Sequence, residues 1–265
     1  MTTILTVAGR LLPAAALAAL LLAAPASAQE FPSTPPAPGE PQPFSLPEVR
    51  SFTLDNGLEV TLVPYGALPK VSVSVAIGVG NAAEGDGEAG LADFAADILT
   101  EGTASLSAEQ IAASAASMGG SVYSGAGLDQ TTVGGRALSE FAPDMVRLVA
   151  DLTMNPAFPE DAFARLQSDA LRGAAIARSR PGTLAQAAFR RALYGAHPYA
   201  TMVLPQPADI QAATLEGARQ FYATHYGPQR SHVYVAGLFD PEAVEAAIRE
   251  SFGAWEADAA PMERP

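Results

Sequence analysis

KVSVSVAIGVGNAAEGDGEAGLADFAADILTE, residues 70–101, changes its period half-way along. At its start Val71, Val73, Val75 and Ile77 alternate with Ser72, Ser74 and Ala76, the period-two pattern of a strand with one buried face. After a glycine-rich, acidic stretch over residues 80–90, Leu91, Phe94, Ala95, Ile98 and Leu99 recur at the 3.6-residue period of a helix over 91–101. Asp93, Asp97 and Glu101 fall on the opposite face of that helix, four apart. A strand passed through a loop into an amphipathic helix is the unit from which the rest of the chain is read.

Upstream, residues 51–65 alternate around Asn56-Gly57, which predicts a tight hairpin in which both turn residues take the positive φ they tolerate. Downstream, Ser107 with Gln110 three residues on predicts a capped helix over 107–118, ended by Gly119-Gly120. Two strands over 121–126 and 129–138 follow, then helices over 141–154, 159–177 and 183–194. A helix over 215–226, a strand over 231–238 and a helix over 241–252 close the pattern. Strands interleaved with helix pairs predict an α+β lobe over residues 49–257, an antiparallel sheet with helices packed on one face.

The ends read differently. Residues 1–28 carry Arg10, the apolar run from Leu11 to Ala24 and then Ala26-Ser27-Ala28, the order of a secretory signal peptide. The run is shorter than the about 20 apolar residues a membrane span needs. Residues 29–48 hold seven prolines, from Pro32 to Pro47, and read as an extended linker. Residues 258–265 read as the start of an interdomain linker, with a second domain absent. An exported, soluble protein is expected, periplasmic if the source is a Gram-negative bacterium; without a cysteine at the cleavage site it carries no lipid anchor.

Composition excludes several chemistries. The 265 residues hold no cysteine, so thiolate zinc, iron–sulfur and disulfide chemistry are out. Twenty-eight acids against 15 bases, a formal charge of −13, leave no nucleic-acid partner to expect. His197, His225 and His232 show no metal-ligand spacing to one another and read as structural. No G-x-S-x-G elbow is present. The loop over 80–90 lacks a Walker lysine, and its acids Glu84, Asp86 and Glu88 oppose phosphate.

Five collinear stretches resemble the pitrilysin or insulinase-type zinc metallopeptidases, whose metal motif is the inverted H-x-x-E-H. They are TLDNGLEV at 53–60, GVGNAAEGDGEAGLADFAADILTEGT at 78–103, NPAFPEDAF at 155–163, YGAHPYA at 194–200 and FYATHYGPQRSHVYVAGLFD at 221–240. The resemblance implies the N-terminal peptidase-like lobe of that family. It also shows where the chain departs. Where the family has its two zinc histidines, this chain has Asp93 and Asp97. Ala96 stands at the position of the glutamate base, and an alanine methyl accepts no proton. At the family's spacing for the third ligand stand Gly173 and Ala174, neither able to bind metal, and Leu166 replaces a supporting glutamate.

No catalytic residue and no cofactor is therefore expected. Asp93 and Asp97 stay as weak candidates for a divalent ion, because two carboxylates one helical turn apart fall short of the six or more oxygens calcium or magnesium takes. Peptidases of the family's smaller two-domain type, the resemblance implies, often act in pairs in which one subunit holds zinc and the other completes an enclosed chamber. The expected partners are an active H-x-x-E-H subunit, as a heterodimer, and unfolded peptides. Two alternatives stay open: a metallo-endopeptidase with an atypical site at Asp93 and Asp97, and a stand-alone periplasmic peptide-binding protein.

Overall fold

The computed structural model describes residues 47–85, 87–200, 205–257 and 259–260. The leader, and the linker as far as residue 46, lie outside the described residues. Six strands form one sheet: β1 (Arg50–Thr53), β2 (Glu59–Pro64), β3 (Lys70–Ile77), β4 (Ser121–Ala126), β5 (Thr131–Leu138) and β6 (Ser231–Gly237). Their order across the sheet is β1-β2-β6-β3-β5-β4. Eight helices accompany them: α1 (Leu91–Asp97), α2 (Ala108–Ser117), α3 (Ala142–Met154), α4 (Glu160–Arg178), α5 (Pro181–Tyr194), α6 (Pro207–Ala212), α7 (Leu215–His225) and α8 (Pro241–Phe252).

The α+β architecture agrees with the sequence pattern. All neighbouring strands pair antiparallel except β2 and β6, which run parallel with Val60 opposite Val233 and Leu62 opposite Val235. β6 is inserted between β2 and β3, so the hairpin and the third strand never touch edge to edge. Alternation sets the layers: Val71, Val73, Val75 and Ile77 of β3, with Val60, Leu62, Val133, Val233 and Val235, are almost fully buried. Helices α3 and α8 pack over that face and against each other. The opposite face presents Thr61, Ser72, Ser74, His232 and Tyr234, all partly or largely exposed.

Several local expectations are met and others corrected. The Ser107 hydroxyl accepts from the Gln110 N–H and the Gln110 side chain accepts from the Ser107 N–H, completing the capping box on α2. The helix read over 91–101 is α only to Asp97, and Ile98–Thr100 continues as a 3-10 turn. The hairpin is not a two-residue turn. Leu54 and Leu58 close a three-residue loop in which Gly57 alone takes positive φ, at 88°. Asn56 works through its side chain instead. Its Oδ1 accepts from Leu58 N, while Nδ2 donates to the carbonyls of Phe252 at 2.9 Å and Trp255 at 3.1 Å. The hairpin is thereby tied to the end of α8, where Trp255 is buried against Phe252 and Ala259 is buried beside Gly227.

Glycines let two layers meet. A Cβ on Gly135 of β5 would fall 2.3 Å from the sulfur of buried Met145 on α3. On Gly120, just before β4, it would fall 1.6 Å from the Arg136 carbonyl oxygen. Phe158, ahead of α4, is the one described non-glycine residue at positive φ, 52°. Its buried ring sits edge-on to Tyr222 at 5.5 Å, and its carbonyl accepts from Arg219, so packing holds the strained residue in place.

Candidate functional site

α1 follows a loop that must supply its own cap. Gly90 at the N-cap has φ 88° and no side chain, so it cannot satisfy the first N–H groups. Glu84 does so from six residues upstream: its Oε1 accepts from Gly90 N and Ala92 N, each at 3.0 Å. Glu84 was legible only as part of an acidic run, because a cap at this distance has no short-range signature. Phe94 on the buried side of α1 meets Phe163 of α4 with ring centroids 5.1 Å apart, fixing α1 across α4. α7 packs along α1 from another side, with Leu91 against Gly217.

Between α1, α4 and α6 lies a cavity of about 290 Å³. Asp93 and Asp97 stand on one wall and Ala170, Gly173, Ala174 and Ala177 on another, with Phe94 and Ile210 beside them. The structure thus brings both aspartates to the Gly173-Ala174 pair, although α2, β4, β5 and α3 intervene in the chain. Ala96 is wholly buried and offers no base. Leu166 packs against the core.

Asn81, which sequence reasoning passed over, donates from Nδ2 to Asp93 Oδ2 at 2.9 Å. Both aspartates keep contact with solvent, yet the surrounding protein displaces enough water to disfavour their charged forms. Burial raises the Asp93 carboxyl above its ordinary range, with the Asn81 bond opposing. Asp97 is pushed up to about 6, by burial first and then by the charges of Asp93 and Glu101. Glu84 is pushed up to about 7, chiefly by burial, against the two N–H bonds that favour its charge. Glu101 has a counter-ion in Arg165 on α4.

The histidines lie elsewhere, and none lines this cavity. His197 follows α5 and its Nδ1 accepts from Tyr199 N at 3.2 Å. His225 ends α7, near Arg230, and burial with that guanidinium lowers its pKa. His232 of β6 lies between Thr61 and Glu59, with its ring stacked on Tyr234 at 4.0 Å.

Zinc takes about four N, S or O ligands, and a catalytic site about three from protein. The cavity provides two carboxylates, one of them already engaged by an amide, and no donor from Gly173 or Ala174. Among the described residues no group of three or more His, Cys, Asp or Glu is placed to hold an ion. This donor set does not fit zinc.

The sequence profile described as insulinase (peptidase family M16) matches residues 65–204. The chain belongs to peptidase family M16. A second profile, described as the peptidase M16 inactive domain, matches residues 212–265 of the M16 chain. An uncharacterized zinc protease of Mycobacterium tuberculosis is 30% identical over 217 residues, covering 82% of the M16 chain and 49% of the relative. The crystal structure of a peptidase M16 inactive domain from Pseudomonas fluorescens superposes with a TM-score of 0.74 at 25% identity, covering 82% of the M16 chain and 53% of the other. A Helicobacter pylori protease shares the fold with a TM-score of 0.76 at 23% identity, covering 82% and 53%. The M16 chain therefore spans about half the length of the curated relatives it matches. Those relatives carry names as zinc proteases, whereas the donor set here lacks what zinc needs.

Proposed function

We propose that the chain is a non-catalytic M16 subunit that pairs with an active H-x-x-E-H subunit and forms part of a peptide-binding chamber. The observation that carries this reading is the cavity of α1 and α4, in which Asp93 and Asp97 face Gly173 and Ala174. The positions that the resemblance assigns to metal ligands line one cavity, with carboxylates, a glycine and an alanine in place of a zinc donor set. A water molecule there would meet no metal and no positioned base. Peptide binding finds support in the sheet. Among the described strands β4 forms one edge of the sheet, next to α1 and paired with β5 alone, and a sheet edge accepts an extended peptide through main-chain hydrogen bonds.

Export to the periplasm belongs to the same reading and is supported by the leader pattern of residues 1–28. Among the described residues no helix is long and apolar enough to cross a membrane. The test is reconstitution with an M16 subunit from the same organism that carries an intact H-x-x-E-H motif. The pair should cleave unfolded peptide faster than the active subunit alone, and this chain alone should cleave none. Chelator-sensitive cleavage by this chain alone, lost in Asp93→Ala and Asp97→Ala, would overturn the reading in favour of an altered metal site.

A further inference from the structure

One helix of the lobe is left nearly unpacked. Ala187 is the single buried residue of α5. Its outward stripe of Ala185, Phe189, Ala192 and Leu193 recurs at i, i+4, i+7 and i+8, and Phe189 and Leu193 are 65% and 60% exposed. Of the ten exposed large hydrophobic side chains among the described residues, α5 carries four: Leu184, Phe189, Leu193 and Tyr194. Scattered apolar residues on a surface are ordinary, but a stripe concentrated on one helix marks an interaction site.

The charge around it is segregated. From Ala170 to Ala208 the sequence holds Arg172, Arg178, Arg180, Arg190 and Arg191 and not one acid, in a chain with 28 acids and 15 bases. Arg172 is paired with Asp169, and Arg178 is occupied by the carbonyls of Ala174 and Pro205. Arg180, Arg190 and Arg191 make no ion pair among the described residues. An apolar stripe with unpaired arginines beside it is complementary to an apolar surface rimmed by carboxylates.

We propose that α5 is the docking face for the active partner subunit, which meets it with an apolar strip flanked by Asp and Glu. The proposal rests on the pairing reading above and names the surface that carries it. A second copy of this chain is disfavoured on the same face, since a symmetric contact brings together two acid-free segments, each with Arg190 and Arg191 and neither with a carboxylate to offer. An anionic bilayer is disfavoured because the chain as a whole carries −13.

The test uses the full chain and an H-x-x-E-H-bearing M16 subunit from the same organism, with affinity measured by calorimetry at two salt concentrations. The wild type should bind and should weaken as salt rises. Phe189→Ser with Leu193→Ser, and separately Arg190→Glu with Arg191→Glu, should each weaken binding at least tenfold while the thermal melt of the free chain stays in place. The charge-reversed variant should no longer weaken as salt rises, because salt then screens a repulsion. Unchanged affinity in both double variants would overturn the assignment of the face and leave the pairing reading standing; no binding by the wild type would take down both. Two other results also overturn it: self-association of the wild type that the serine variant abolishes, or co-sedimentation with phosphatidylglycerol vesicles that the serine variant abolishes.

Discussion

Replacing Asp97 with asparagine separates an uncompensated acidic wall from a cation site. The carboxyl is raised from 3.8 to about 6 by burial and by the charges of Asp93 and Glu101. Between those two values the folded chain binds a proton that the unfolded chain does not. Stability therefore falls as pH rises through that window, and the full penalty is present above it. At about 1.4 kcal/mol per pH unit the gap corresponds to an upper bound of about 3 kcal/mol. Solvent at the exposed end of the side chain reduces this to about 1 kcal/mol. An asparagine side chain has the same shape and no charge. Asp97→Asn should thus be more stable than the wild type by about 1 kcal/mol at pH 8, roughly 2–4 °C in Tm for a lobe of this size. The advantage should shrink toward zero by about pH 4, where the wild-type carboxyl is protonated in the folded state. Urea melts followed by circular dichroism, at both pH values and in buffer with chelator, provide the measurement. If the asparagine variant is equally or less stable at pH 8, the carboxylate has a stabilising partner and the uncompensated-wall argument is wrong.

Three further outcomes follow from the packing and the site. Asn56→Ala removes three hydrogen bonds that join the hairpin to the end of α8 or brace its turn, and should cost about 2 kcal/mol in a urea titration. Gly120→Ala places a methyl 1.6 Å from the Arg136 carbonyl, a backbone clash that should destabilise by at least about 3 kcal/mol and broaden or abolish the thermal transition. Introducing Asp93→His, Ala96→Glu and Asp97→His should give weak zinc binding that adding Ala174→Glu or Gly173→Glu strengthens at least tenfold, about 1.4 kcal/mol; competition with a chromogenic chelator reads this directly.

What the sequence made legible is what short-range physics decides. The alternation of β3, the capping box of α2 and the stripe of α1 each need only neighbours within a few residues. The features that escaped all depend on distant partners. Nothing between residues 51 and 65 shows that Asn56 spends its amide on Phe252 and Trp255 rather than on a left-handed turn. The parallel pairing of β2 with β6 joins segments from opposite ends of the lobe, and α6, at six residues, is too short to show a period. At the site, the replaced positions Asp93, Ala96 and Asp97 and the Gly173-Ala174 pair came from resemblance, and the fold then placed Asp93, Asp97, Gly173 and Ala174 around one cavity. Asn81 and the capping role of Glu84 emerged only from the loop geometry.

The position of β6 also governs the order in which the lobe can be completed. Because the last of the described strands in sequence is a central strand in space, a growing chain holds two separate ribbons, β1-β2 and β3-β5-β4, each with an inward edge of unpaired amides. Among the described strands, none pairs with both ribbons until Ser231–Gly237 has emerged. Such late, long-range closure slows folding. A truncation that removes β6 would leave β2 and β3 each without its central partner, so how the hairpin joins the rest of the sheet is decided by residues about 170 positions later.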